Sequence, residues 1–215
     1  MSEGAHSAGV RLNVLLSMAG LETLNSELAG RFEDYLSLFL RWNARLNLTA
    51  IRSEEGILSR HFVESIICAR TLPAGIATLL DFGSGAGFPG IPIALCRPEI
   101  AVTLAESQGK KAAFLLEAVR VLGVAAKVHS GRAEALRAVF DCVVLRAVDK
   151  MEVAVQKAGR LVRAGGWLAL MTTDTQLESL KEAAGTEFSW ADPARVPGSD
   201  ERLIALGERK ISLPA

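Results

Sequence analysis

Cysteine is scarce in this 215-residue chain: Cys68, Cys96 and Cys142 lie far apart, with no CxxC pair among them. An odd, scattered set excludes a disulfide framework and gives no zinc spacing, and it suits a reducing compartment. Each thiol lies in an apolar stretch (SIICAR, IALCRP, DCVVL), so all three read as buried and structural. Long hydrophobic runs are missing, so no segment is expected to cross a bilayer. The first nine residues, MSEGAHSAG, have no apolar centre and read as a frayed terminus, not a signal peptide. A soluble, cytoplasmic protein with no membrane contact is expected. No cluster of oxygen, nitrogen or sulfur ligands has metal spacing, so no metal is expected. No hydrophobic helix is left over, which favours a monomer. A surplus of one charge is also absent: 24 Lys and Arg balance 24 Asp and Glu. A zero sum argues mildly against a nucleic-acid partner, unless the basic residues share one face.

Helical periodicity is present from the start. Leu28, Phe32, Tyr35, Leu36, Phe39, Leu40 and Trp42 recur every three or four residues and predict a helix over about 25–47. Ser53 before Glu54 and Glu55 predicts a second helix start, running to about Arg70. Pro73 and Gly75 then break the chain, and the rhythm changes. Short apolar runs (ATLLDFG, AVTLAE, AAKVHS, FDCVVLRAV, GGWLALMTT) alternate with helical stretches, which predicts βαβ units and a parallel sheet with helices on both faces. After Asp174 the pattern weakens to one helix, TQLESLKEAAG, and one or two edge strands in RLIALGERKISL.

The first strand runs into LLDFGSGAGFPG, with Asp81 followed by Gly83, Gly85 and Gly87. Glycines suit a tight turn that must let a ligand approach the backbone. A dinucleotide fingerprint would need a third glycine at 88, where the chain has Phe88. Glu106 ends the second strand about twenty residues later, where a carboxylate can take both hydroxyls of an adenosine ribose. Ala133 and Glu134 follow the third strand, positioned for an adenine edge, and Arg146 ends the fourth. An unpaired guanidinium in VVLRAV would be costly, so Arg146 is expected to pair with a cofactor carboxylate, an acidic side chain or a phosphate. Each carboxylate alone would be an ordinary surface charge. Together they fall at successive carboxyl ends of parallel strands, where open α/β sheets bind ligands.

DFGSGAGFPGIPIAL, ESQGKKAAFL, GRAE and FDCVVLRAV, with WNARLNLTAIRSEEGILSRHFVES before them, resemble the family of ribosomal RNA small subunit methyltransferase G. The resemblance runs from about Tyr35 to Gly166. It implies a Rossmann-like, class I S-adenosylmethionine-dependent methyltransferase: a mostly parallel seven-stranded sheet (73–215) with an N-terminal helical extension (1–72). It implies methyl transfer to N7 of one guanine in a conserved loop of 16S rRNA, free or within the small ribosomal subunit. By carry-over, Gly83 and Phe88 line the methionine side of the cofactor and Glu106 holds the ribose. Ala133 and Glu134 contact the adenine, and Arg146 completes the site as a positioning residue.

No general base is assigned, because guanine N7 already carries an in-plane lone pair. The LRAVDK after strand four lacks the Asn/Asp-Pro-Pro-aromatic loop of amine methylation, and Cys142 lies too early in its strand to be a nucleophile. A target in a stacked stem would be unreachable, so a loop or an extruded base is expected. Trp42, Phe62 and Phe88 are the stacking candidates, although helical period puts the first two in the core.

The tail departs from the family: GERKISLPA replaces a basic ending, and MTTDT stands where Lys-Gly is common after strand five. RNA contact then falls to Arg41, Arg45, Arg52 and Arg60 in the N-terminal helices, to Lys110, Lys111 and Arg132 near the crevice, and to Lys150 after strand four. Three other readings stand beside this one: a methyltransferase of a protein or small molecule, a ligand-binding protein without chemistry, and a dehydrogenase, which Phe88 disfavours.

Overall fold

The computed structural model describes residues 7–211. Five parallel strands form the heart of the sheet: β1 (Thr78–Phe82), β2 (Ala101–Glu106), β3 (Ala126–Ser130), β4 (Phe140–Arg146) and β5 (Val162–Thr173). Three antiparallel strands complete it: β6 (Phe188–Trp190), β7 (Ala194–Arg195) and β8 (Arg202–Arg209). The order is β3-β2-β1-β4-β5-β8-β6, with two-residue β7 paired to β8. The seven-stranded, mostly parallel sheet expected from the resemblance is thus present, with β7 as an addition.

β1 and β4 are buried along nearly their whole length because helices cover both faces, so they read as continuous apolar runs. Side chains still alternate. Leu79 and Cys142 point to one core, and Leu80 and Val143 to the other. The first face carries α2 (Ser26–Leu46), α4 (Glu64–Thr71), α5 (Gly90–Cys96) and α6 (Gly109–Leu122); the second carries α7 (Met151–Gly159) and α8 (Asp174–Ala184). The chain leaves β1 toward β2 and later returns to β1's other side as β4. That reversal opens a crevice at the carboxyl ends of both strands.

Two local expectations need correction. Ser7, Ala8 and Gly9 do not fray: Ser7 caps α1 (Ala8–Met18), its hydroxyl accepting from the Val10 amide. Met1–His6 lie outside the described residues. Leu12 and Leu16 are fully buried, and the Asn13 amide clamps both backbone groups of Leu24 (2.8 and 3.0 Å), so tertiary packing holds a helix that a polar beginning concealed. β8, in turn, is one strand and interior, not an edge. Its LIAL stretch is apolar on both faces, and it fits between β5 and β6.

The helix that starts at Ser53 is wound in three parts: α3 (Glu54–Ile57), a π-helical segment (Leu58–Val63) and α4. Such a segment shifts the phase of the side chains that follow, and functional sites often contain one. No helix among the described residues is long and apolar enough to cross a membrane.

Candidate functional site

The turn after β1 is fixed from below and from both sides. Gly87 has φ of +85°, and a β-carbon there would stand 2.5 Å from Ile91 Cδ1 and 2.9 Å from the Tyr35 hydroxyl. That hydroxyl donates to the Ala86 carbonyl at 2.6 Å, so α2 holds the turn. Beneath it, Asp81 is fully buried and accepts from the Gly90 amide at 3.0 Å; burial pushes its carboxyl up to about 7. On the β2 side, Glu106 accepts from the Gly85 amide (2.9 Å) with one oxygen and from the Gln108 amide (2.7 Å) with the other.

Two clefts meet over this turn. The first, about 550 Å3, is lined by Gly83, Gly85, Phe88, Glu106, Lys111 and Arg146, with His61 on its helical side. The second, about 440 Å3, lies toward β3 and is lined by Ala133, Glu134, Arg132, Lys150 and Lys157. Gly83, Ser107, Val148 and Asp149 belong to both, so one elongated groove crosses the carboxyl ends of the parallel strands.

Seven of the eight expected cofactor-binding residues share one groove, and its chemistry suits an adenosine-containing ligand; Gly87 is the exception, buried within the turn and lining neither cleft. Each Glu106 oxygen takes one amide and keeps a lone pair for a ribose hydroxyl. A β-carbon at Gly85 would meet nothing nearer than the Gly83 carbonyl oxygen at 3.9 Å, which leaves room for a ligand against the backbone. Glu134 is drawn aside: its carboxylate accepts from Lys157 at 2.7 Å and lies 3.7 Å from Arg132. Arg146 takes an acidic partner, the second of the three expected kinds. Its guanidinium donates to Glu64 at 3.0 Å and to the Arg60 carbonyl.

Phe88 is 8% exposed and stacks on His61, with ring centroids 4.9 Å apart. Phe62 is wholly in the core, and Trp42 is half-buried with its indole donating to Glu117. Of the basic residues, Arg60, Lys111, Arg132 and Lys150 border the clefts, and Lys110 is exposed at the start of α6. Arg41 and Arg45 border a different depression, beside Trp42. Arg52 is exposed beside Asn47. Cys68 and Cys142 are buried as expected, whereas Cys96 is only half-buried.

Sequence reasoning missed His61. Its Nε2 lies 2.8 Å from the Thr49 hydroxyl, its Nδ1 is buried without a partner, and burial beside Arg146 and Arg60 pushes its pKa down to about 3. The imidazole is neutral at ordinary pH. Only the NLT and RHF fragments of the resemblance pointed to this pair. The loop after β4 was not legible either: Ala147 and Lys150 both hold left-handed backbone (φ +49° and +51°), a conformation that costs energy outside glycine and clusters at working sites.

Against known proteins, the model of the family described as rRNA small subunit methyltransferase G matches residues 29–203. A ribosomal RNA small subunit methyltransferase G of Stenotrophomonas maltophilia (strain K279a) is 39% identical over 202 residues, covering 92% of this chain and 94% of that protein. One from Xanthomonas campestris pv. campestris (strain 8004) is 38% identical, covering 83% and 85%. Among solved structures, the O-methyltransferase from Bacillus cereus in complex with SAH has a TM-score of 0.58 at 17% identity, covering 82% of this chain and 91% of that one. That likeness concerns the fold. The sequence match spans both the helical segment and the sheet, and the chain belongs to the rRNA small subunit methyltransferase G family.

Proposed function

We propose that the protein transfers a methyl group from S-adenosylmethionine to N7 of one guanine in 16S rRNA, presented in a loop of the small ribosomal subunit. The observation that carries this reading is the groove itself: Glu106 ties the glycine turn to the β2–α6 corner at the point where the strand order reverses. Bound there, S-adenosylmethionine supplies a methyl group on a positively charged sulfur.

The chain's own residues do the positioning. Glu106 would hold the ribose, Ala133 and Glu134 would border the adenine, and Gly83 and Gly85 would let the amino-acid end lie on the backbone. Phe88, backed by His61, closes the groove's inner wall with an apolar face. His61 is too weak a base to take a proton at neutral pH, which suits a nucleophile that brings its own lone pair. Rate enhancement then comes from aligning nucleophile, methyl and leaving sulfur.

The test is transfer of labelled methyl to small subunits lacking N7 methylation, with the product mapped by N7-specific strand cleavage. One modified guanine is expected, and a bulky residue at Gly85 should abolish it. No transfer by a protein that binds S-adenosylmethionine tightly would replace this reading with methylation of a protein or small molecule.

A further inference from the structure

Beside the groove, on its β5 side, three arginines share one carboxylate. Glu64 is 4% exposed, and its two oxygens take Arg60 at 3.0 Å, Arg146 at 3.0 Å and Arg202 at 2.6 Å. The three come from separate elements: Arg60 from the π-helical segment, Arg146 from the end of β4, and Arg202 from the start of β8. They line a third cleft of about 230 Å3, in which Glu64 is the sole acidic residue lining it. One negative charge cannot neutralise three guanidinium groups, and packing like charges together is unfavourable unless something else balances them. The balance is visibly short. Arg202 Nε is buried and close to Glu64, but its N–H is not aimed at the carboxylate and has no hydrogen-bond partner. Burial pushes the Arg146 pKa down, and the Arg60 and Arg202 guanidinium groups add to that shift against the pull of Glu64.

The far wall of this cleft is the amino end of α8. Thr173 is its N-cap, with backbone in the extended region, and its side chain makes no capping hydrogen bond. The Asp174 amide donates to the Glu201 carbonyl at 2.9 Å and the Asp174 carboxylate is paired with Arg195, while no side chain caps the amides that follow at the positive end of the helix dipole. Arginines from three elements around one carboxylate, facing a helix start that has no side-chain cap, form a site for an anion.

We infer that this cleft is a phosphate subsite that grips the RNA backbone next to the target nucleotide while the base enters the groove. The inference rests on the rRNA reading above for its source of phosphate. The cleft shares Arg60, Arg146, Ala147 and Val148 with the 550 Å3 cleft, so a phosphodiester held here would be continuous with a base placed there.

Two variants test it. Arg202→Gln removes one cation from the cluster. Thr173→Asp places a negative charge at the cleft wall in a position where Asp caps a helix at least as well as Thr, so the fold should be kept. Binding of small ribosomal subunits is measured across a potassium chloride series, with S-adenosylmethionine affinity in parallel and Arg120→Gln, an exposed cation on α6, as control. Both test variants should lose about tenfold in subunit affinity, with cofactor affinity unchanged. Arg202→Gln should also reduce the logarithmic salt slope by about 0.7, the value for one single-strand phosphate contact.

A slope for Arg202→Gln equal to that of Arg120→Gln, with Thr173→Asp binding like the wild type, would overturn the subsite. So would a loss confined to cofactor affinity, which would assign the cluster to the amino-acid carboxylate. If Arg202→Gln does not fold, Thr173→Asp decides alone. Methyl transfer by the same wild-type protein separates the two readings. No transfer with the slope difference intact refutes the rRNA activity and keeps the subsite; transfer with no slope difference does the reverse.

Discussion

Single residues around the glycine turn carry different burdens, and substitutions should separate them. Gly85 and Gly87 both have positive φ, but only Gly87 lacks space for a β-carbon. Gly85→Ala should fold with a penalty of about 1–2 kcal/mol for left-handed backbone and lose cofactor affinity. Gly87→Ala adds overpacking against Ile91 and should cost about 2–5 kcal/mol, read as a much larger fall in melting temperature. Equal losses of stability would show that the two positions are not distinguished by packing.

Two buried ionisable groups should also oppose each other with pH. Folded Asp81 keeps its proton to about 7 against an ordinary value of 3.8, so its contribution to stability falls as pH rises through that window. His61, lowered from 6.5 to about 3, contributes fully above about 6.5 and loses that contribution as pH falls. Asp81→Asn, which can still accept from the Gly90 amide, leaves His61 unopposed. The variant's melting temperature should drop more steeply than the wild type's between about pH 6.5 and 4.5. Parallel curves would mean that Asp81 is ionised throughout. The glycines and Glu106 could be picked out from the sequence because strand–turn–helix spacing restricts which residues fit there. His61 could not, because a histidine in an apolar helix looks the same whether it fills the core or lines a groove.

At the scale of elements, α2 is part of the site as well as the core. The Tyr35 hydroxyl reaches the Ala86 carbonyl across 51 positions of sequence, and burial pushes its own pKa well up, so it stays a donor. Tyr35→Phe removes the donor to the carbonyl of half-buried Ala86, which costs about 0.5–1.5 kcal/mol. Because the lost bond ends on the glycine turn, S-adenosylmethionine affinity should fall with stability; titration calorimetry beside thermal unfolding would show whether the two move together. The helices and the parallel strands could be read from periodicity and turn residues. α1 was missed because Ser7 to Gly9 look like a tail until Leu12 and Leu16 are seen to have a core to enter. β8 was misplaced because its interior position depends on a strand that pairs with its outer edge, β6, whose three residues carry almost no pattern.

For the whole molecule, zero net charge does not mean an even surface. Arg60, Lys111, Arg132, Arg146, Lys150 and Arg202 border the grooves, while Glu187 lies exposed just before β6, at the far end of the sheet order from β3. Arg41 and Arg45 border a separate depression, so whether the RNA footprint extends across α2 is a question for charge reversal. Arg45→Glu should weaken subunit binding and Glu187→Lys should not; equal effects would restrict the footprint to the grooves.

The position of β8 has a consequence for how the protein is made. β5 has no partner on its outer edge until β8, synthesised after α8, β6 and β7, inserts beside it. A nascent chain therefore emerges with a long, apolar strand edge open to other chains. The same late strand brings Arg202 to Glu64. Only a chain that has completed its sheet can have all three arginines of the cluster in place, so an incomplete copy would lack part of the grip proposed for the RNA backbone.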